Sequence, residues 1–145
     1  MTKRLDLCIK RTQRLAMGKR RILLIEDNPD NREMVRFVLE TAGYEILIGQ
    51  TGAQAVTLAH QERPDLILMD LSLPEKDGWT AAAEIRADPA LSAIPLVALT
   101  AHTLPGDRKR AMAAGFDAYI SKPVDIPRLL KTLAAFFAPP EKDGG

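Results

Sequence analysis

The sequence predicts a single α/β domain built on a doubly wound parallel β-sheet. Three observations support this fold class: five short apolar runs recur along the chain, helical patterns lie between them, and three of the runs are apolar almost throughout. Continuous apolar runs are typical of strands that are buried on both faces of a parallel sheet. Strands that alternate with helices form such sheets through right-handed crossovers.

The five apolar runs are the predicted strands. They lie at residues 21–25, 44–48, 65–69, 94–99 and 118–120. The second run alternates between apolar and polar residues more than the others, so we place it nearer an edge of the sheet. Pro95 stands at the start of the fourth run, where a missing backbone donor is tolerated.

The predicted helices begin and end at residues that suit helix termini. Asn28 and Pro29 are typical of an N-cap and a first helical position, and Gly43 ends this first helix. The remaining helical patterns lie at 53–59, 79–85 and 107–114, and the last begins near 125–127 and continues to 137.

Charge is divided unevenly along the 145 residues. The formal net charge is +1, but residues 1–21 hold eight bases and one acid, while residues 22–145 hold twelve bases and eighteen acids. The balance excludes a strongly basic nucleic-acid binder. We divide the chain into a basic N-terminal extension at 1–19, one domain at 20–138 and a flexible tail at 139–145.

The basic extension allows two interpretations. One is an amphipathic helix that binds an anionic membrane, a nucleic acid or a protein partner. The other, which we favour, is that Met17 is the natural start and that residues 1–16 are an upstream extension or a disordered arm.

Two features predict a cytoplasmic protein without a membrane span. Cys8 is the single cysteine, which excludes an intrachain disulfide and fits a reducing compartment. No apolar run approaches the roughly 18 residues that a membrane span needs.

Polar side chains stand at the carboxyl ends of four predicted strands. Glu26 and Asp27 follow the first strand, Asp70 the third, Thr100 the fourth, and Lys122 lies just beyond the fifth. The functional crevice of an open parallel sheet lies beyond the carboxyl ends of its strands. We therefore expect these five residues to meet at one site.

The chemistry of this set predicts a cation and a phosphoryl group. Three neighbouring carboxylates repel each other and raise the pKa of at least one unless a cation intervenes. Oxygen ligands suit Mg²⁺, with Mn²⁺ or Ca²⁺ as alternatives. Asp70 is the candidate nucleophile, and Glu26 and Asp27 the candidate metal ligands. Lys122 and Thr100 would contact phosphoryl oxygens.

The ordered set resembles the receiver domains of two-component response regulators, over about residues 20–138. The motifs that carry the resemblance are Glu26-Asp27, Asp70 within Leu68-Met-Asp-Leu-Ser-Leu-Pro74, Asp77-Gly78, Thr100-Ala101 and Ser121-Lys122-Pro123. The separations of 43, 30 and 22 residues along Asp27, Asp70, Thr100 and Lys122 are similar to the family pattern. The chain looks most like single-domain receivers similar to cell-division regulators.

For the fold and the metal, the resemblance implies a flavodoxin-like sheet in the order 2-1-3-4-5. It also implies that Mg²⁺ is held by Asp27, Asp70 and the backbone carbonyl of Ser72, with Glu26 acting through water. The phosphodonor would be a sensor histidine kinase or a histidine phosphotransfer protein.

For the switch, the resemblance implies that Thr100 moves toward the phosphoryl group and that Tyr119 turns inward. This movement would remodel the face formed by the fourth helix, fifth strand and fifth helix, which a downstream protein partner reads. Ser72 and His102 occupy positions that influence, in the family, how fast water removes the phosphoryl group. The resemblance also suggests a cis bond before Pro123.

The leading interpretation is therefore a phosphorylation-controlled signalling switch that acts by protein–protein contact, without direct DNA binding, and catalyses only its own phosphorylation and dephosphorylation. One alternative is a Mg²⁺-dependent phosphohydrolase of similar fold, although no carboxylate stands two residues beyond Asp27. A phosphorylation-independent scaffold, and a fragment of a hybrid kinase or of a DNA-binding regulator, are the others.

Overall fold

Five strands and five helices alternate in the computed structural model, which describes residues 19–71, 78–100 and 106–137. The strands are β1 (Arg21–Ile25), β2 (Glu45–Gly49), β3 (Leu66–Asp70), β4 (Leu96–Thr100) and β5 (Ala118–Ser121). The helices are α1 (Pro29–Thr41), α2 (Gly52–Glu62), α3 (Gly78–Ala87), α4 (Asp107–Ala113) and α5 (Ile126–Phe137). None of the helices in these ranges is long and apolar enough to cross a membrane.

All five strands are parallel, in the order β2-β1-β3-β4-β5. The predicted doubly wound, flavodoxin-like sheet is confirmed, and β2 lies at an edge as its alternating pattern indicates. The register aligns the strand ends, with Ile25 opposite Met69 and Asp70 opposite Leu99. The strand order reverses at β1 and β3, which is where open α/β sheets place their ligand crevice.

Side chains from alternate positions of the central strands pack on opposite faces of the sheet. Leu23 and Ile67 face the core beneath α2, α3 and α4, whereas Ile22 and Leu66 face the core beneath α1 and α5. Both faces of β3 and β4 are completely buried, which explains why these strands are apolar throughout.

Three strands, β2, β3 and β4, begin and end one or two residues later than the apolar runs predict, and β5 ends one residue later. The N–H of Ile94 donates to Leu91 O at 3.0 Å and closes a turn, and Pro95 has no N–H, so β4 begins at Leu96. At the other end, Asp70 and Thr100 are the last residues of their strands and not residues that follow them. The backbone of both candidate site residues is therefore held by the sheet itself.

Helix α1 begins as its sequence predicts. The side chain of Asn28 accepts a hydrogen bond from the N–H of Asn31 at 3.0 Å, and Pro29 is the first helical residue. Because Asn28 follows Glu26 and Asp27 directly, this cap fixes the helix immediately beside the carboxyl end of β1.

Candidate functional site

The five predicted residues meet at the carboxyl end of the sheet. Glu26, Asp27 and Asp70 each offer a carboxylate oxygen, and these oxygens all lie within 4.8 Å of one another. Thr100 is completely buried at the end of β4, and its carbonyl accepts a hydrogen bond from the N–H of Lys122 at 2.8 Å. The strand order therefore assembles a site from segments that are far apart in sequence.

Lys122 crosses from the end of β5 to contact two of the carboxylates. Its Nζ lies 2.8 Å from Asp70 Oδ2 and 2.8 Å from Glu26 Oε1. The peptide bond between Lys122 and Pro123 is cis, in agreement with the resemblance. The Lys122 ammonium therefore lies close enough to contact a group attached to Asp70.

Burial and charge oppose each other at Glu26, which is 1% exposed. Burial is the main cause that raises the pKa of this carboxyl above its ordinary value, and the neighbouring charge of Asp70 raises it further. The contact with Lys122 lowers this pKa without reversing the shift. The charge of Asp70 thus acts in the direction that the crowding of carboxylates predicts, but burial is the larger cause of the raised pKa.

Burial and the neighbouring carboxylates also act on the pKa of Lys122. Burial by itself lowers the pKa of its ammonium, but the contacts with Asp70 and Glu26 outweigh burial and raise that pKa above its ordinary value. The side chain therefore stays charged while only 16% of it is exposed.

The donor set fits a hard divalent cation. Three carboxylates and the ammonium of Lys122, when all are ionised, leave two negative charges at the site. Carboxylate oxygens are the preferred protein ligands of Mg²⁺, and a divalent charge would neutralise the set. Glu26, Asp27 and Asp70 are therefore residues that could hold such an ion.

Gly78 packs the start of α3 directly against the strand that carries Asp70. Its N–H donates to Leu71 O at 3.2 Å. A Cβ at this position would lie 2.6 Å from Asp70 O and 2.8 Å from Leu71 Cα, distances that backbone atoms do not tolerate. The glycine of the Asp77-Gly78 motif is thus required by this close approach.

Arg32 is a residue near the site that the sequence reasoning missed. From the first turns of α1 its Nη1 donates to the backbone carbonyls of Glu26, at 3.2 Å, and of Asp27, at 3.4 Å. The available signal was a basic residue close to a helix N-terminus, where the helix dipole disfavours a cation.

The remaining predicted residues stay predictions. Ser72 and His102 lie outside the described residues. Tyr119 lies in β5, is half-buried and packs against the core beneath α2, α3 and α4, but this packing does not test its role as a switch.

Comparisons with known proteins agree on one family. The family described as the response regulator receiver domain matches residues 22–134. The polar-differentiation response regulator DivK of Brucella anthropi is 39% identical over 115 residues, which span 79% of this chain and 94% of that relative.

Solved structures show the same likeness. The receiver domain of a Pseudomonas aeruginosa sensor histidine kinase, with a magnesium ion coordinated in its active site cleft, superposes with a TM-score of 0.77 at 39% identity, and the match covers 83% of this chain and 99% of that one. The chemotaxis response regulator CheY4 of Vibrio cholerae gives a TM-score of 0.76 at 29% identity, over 81% of this chain and 98% of that one.

Proposed function

The chain belongs to the response regulator receiver domain family, and on this premise we propose that it is a switch that accepts a phosphoryl group on Asp70 in the presence of Mg²⁺. Members of this family are signalling switches and not classical enzymes. The observation that carries the proposal is the position of Asp70 at the end of β3. Its carboxylate contacts Lys122 and lies within 4.8 Å of oxygens from Glu26 and Asp27.

The metal ligands in this proposal are Asp27, Asp70 and the backbone carbonyl of Ser72, with Glu26 acting through water. Mn²⁺ or Ca²⁺ could take the place of Mg²⁺. When bound, the ion neutralises charge on the phosphoryl oxygens and orients them.

In the transfer step, a carboxylate oxygen of Asp70 attacks the phosphorus of a phosphohistidine. The new O–P bond forms as the P–N bond breaks, and the imidazole leaves. Lys122, which now contacts Asp70 Oδ2, turns its ammonium to a phosphoryl oxygen, and the Thr100 hydroxyl donates to another. Water later cleaves the O–P bond at a rate that Ser72 and His102 influence.

The switch in this proposal consists of Thr100, Tyr119 and the face of α4, β5 and α5. Helix α4 suits a movable element because it has seven residues and an N-cap, Gly106, without a side-chain hydrogen bond. Phosphorylation would shift the population of two arrangements by as much as the phosphoryl group prefers one of them.

The partners in this proposal are a sensor histidine kinase or a histidine phosphotransfer protein as donor and a protein that reads the α4–β5–α5 face. We place this system in the cytoplasm, with no direct binding to DNA. The receiver domain occupies residues 20–138, preceded by the basic extension 1–19 and followed by the tail 139–145.

The test uses the full chain, Mg²⁺ and a small-molecule phosphodonor such as acetyl phosphate. We expect intact mass to rise by one phosphoryl group, about 80 Da, in an acid-stable and base-labile bond. Asp70→Asn should remain unlabelled, whereas Asp30→Asn, an exposed carboxylate of the first turn of α1, should be labelled normally. An unlabelled wild type, or equal labelling of Asp70→Asn, would contradict the proposal.

A further inference from the structure

The three carboxylates of the site are held in two different ways. Glu26 and Asp70 each contact Lys122 at 2.8 Å, and Glu26 Oε2 also accepts a hydrogen bond from the N–H of Asn28 at 3.2 Å. Asp27 is exposed, and within the described ranges its carboxylate has neither a hydrogen bond nor an ion pair with another side chain. Its direction therefore depends on its backbone.

Arg32 fixes that backbone on both sides of Asp27. The Glu26 carbonyl belongs to the peptide group before Asp27, and the Asp27 carbonyl belongs to the peptide group after it. Both accept hydrogen bonds from Arg32 Nη1, at 3.2 and 3.4 Å. Since the planes of the two peptide groups define φ and ψ of Asp27, these bonds set the direction in which its side chain leaves the chain.

The orientation of Arg32 has no other strong cause among its described contacts. Its closest carboxylate partner, Glu33 Oε2, lies 3.9 Å from Nε, and the Glu33 side chain is 62% exposed, so this ion pair contributes little. Arg32 is also the fourth residue of α1, and a cation is unfavourable so close to the positive end of the helix dipole. Yet only 16% of the Arg32 side chain is exposed, because it folds back over the loop between β1 and α1.

We propose that Arg32 is a positioning residue of the metal site. It holds the Asp27 carboxylate, through the two carbonyls, in the direction from which that carboxylate reaches the cation. This inference rests on the proposed function, because it concerns affinity for the divalent ion at Glu26, Asp27 and Asp70. Partners that orient metal ligands typically change metal affinity by about 10–100-fold, and we expect about tenfold here because Arg32 acts through the backbone.

The experiment measures Mn²⁺ binding to the full chain from the electron paramagnetic resonance signal of free Mn²⁺, with Mg²⁺ as competitor. Arg32→Met keeps the aliphatic stem but removes every donor, and we expect its dissociation constant for Mn²⁺ to rise about tenfold. Arg32→Lys retains charge and donors and should recover most of the affinity. Arg36→Met is the matched control, because Arg36 lies one turn later and pairs with the exposed Glu33 and Glu40.

Two results would overturn the role of Arg32. One is wild-type affinity in Arg32→Met, whatever its melting temperature without metal, since a merely structural role would change the melting temperature alone. The other is an equal loss in Arg36→Met. If Arg32→Met does not fold, unchanged affinity in a folded Arg32→Gln also overturns it.

Failure of the proposed function gives a different pattern. A wild type that binds no Mn²⁺, or that binds it as tightly as Asp27→Asn does, would contradict the metal site itself. A weakened Arg32→Met beside a normal Arg36→Met supports the positioning role.

Discussion

The two ends of the sheet satisfy their charges in opposite ways. At the carboxyl end, Lys122 contacts two carboxylates of a three-carboxylate cluster, and negative charge is left over. At the amino end, arginines bond to groups of the fold itself, as when Arg21 donates to the carbonyl and the carboxylate of Glu62 at 2.9 and 2.6 Å. The unbalanced charge at the carboxyl end suits the proposed cation, whereas the charges at the amino end hold loops in place.

Arg86 is the clearest example at the amino end. Its guanidinium donates to the carbonyls of Gly115, Ser92 and Ile94 at 2.7, 2.7 and 2.9 Å, and to Asp117 Oδ2 at 2.5 Å. One side chain of α3 therefore joins the segments that lead into β4 and β5. Nothing in this arrangement calls for a metal or a phosphoryl group.

The comparison is most strongly tested by Lys122→Met, which removes the ammonium at the carboxyl end. Without Mg²⁺ we expect a loss of about 4 kcal/mol in the free energy of unfolding, because buried Glu26 and Asp70 lose the cation that contacts both. With saturating Mg²⁺ most of this loss should disappear, and the affinity for Mg²⁺ should rise. Urea unfolding with and without Mg²⁺ measures both effects.

The stability that Lys122→Met loses without Mg²⁺ should also depend on pH. Lys122 lowers the pKa of Glu26, so its removal raises that pKa further above the unfolded value. When the pKa of a carboxyl is higher in the folded than in the unfolded protein, the folded state is progressively destabilised as pH rises from the unfolded pKa to the folded pKa. The cost without metal is therefore smaller near about pH 5 than near about pH 8. A cost that is independent of both Mg²⁺ and pH would show that the carboxyl end is an ordinary structural ion pair.

Arg86→Met is the corresponding change at the amino end. We expect a loss of about 3 kcal/mol, because three carbonyls lose a charged donor while the aliphatic stem remains. Mg²⁺ should restore none of this loss beyond what it adds to the wild type. Arg128→Met, on the exposed face of α5, should change stability by less than about 0.5 kcal/mol. Rescue of Arg86→Met by Mg²⁺ would remove the distinction between the two ends.

Gly78→Ala addresses the backbone of the carboxyl end without changing a charge. The added Cβ would meet Asp70 O and Leu71 Cα at 2.6 and 2.8 Å, both of them backbone atoms. We expect a loss of about 2 kcal/mol and a displaced Asp70 that accepts phosphate more slowly. Ala83→Ser, on the exposed side of the same helix, is the control. Normal stability and labelling of Gly78→Ala would show that α3 can move away from the strand at little cost.

The five central site residues were predictable because their positions follow from topology. Parallel strands bring their carboxyl ends to one edge, so the element order alone placed all five residues together: Glu26, Asp27, Asp70, Thr100 and Lys122. Side chains that cross between elements could not be placed this way. Arg86 reaches Gly115, 29 positions along the chain, and nothing local to either residue indicates the contact.

The element ends that differ from the prediction have similarly specific causes. Strand β4 begins at Leu96 because Ile94 closes a turn before Pro95. The sequence does not reveal this turn, because Ile94 is apolar like the strand residues that follow. Arg32 could be flagged by its unfavourable place in α1, but the carbonyls that it contacts depend on how the loop after β1 folds.

The smallest expected effect concerns the contact between the end of β3 and α4, the two regions that the proposed switch would connect. Gly78 touches the strand end that carries Asp70, and the next residue, Trp79, lies 4.3 Å beneath the guanidinium of Arg110 in α4 and packs edge-on against Phe116. Of the side chains described in α4, Ala111 is buried and Arg110 exposed, so the stacking on Trp79 adds to a weak attachment. Arg110→Ala should cost about 1 kcal/mol, the usual worth of an exposed cation–π contact.

The destabilisation caused by Arg110→Ala should be confined to α4. Because about 1 kcal/mol corresponds to roughly a fivefold change in an opening equilibrium, amide hydrogen exchange of residues 107–113 should quicken about fivefold while exchange in β1 and β3 stays unchanged. Arg108→Ala, exposed on the same helix, should leave exchange unaltered, and the fluorescence of Trp79, the single tryptophan, should change in the first variant alone. Equal exchange in both variants would mean that α4 is held without Trp79, and that the packing next to Asp70 does not extend to it.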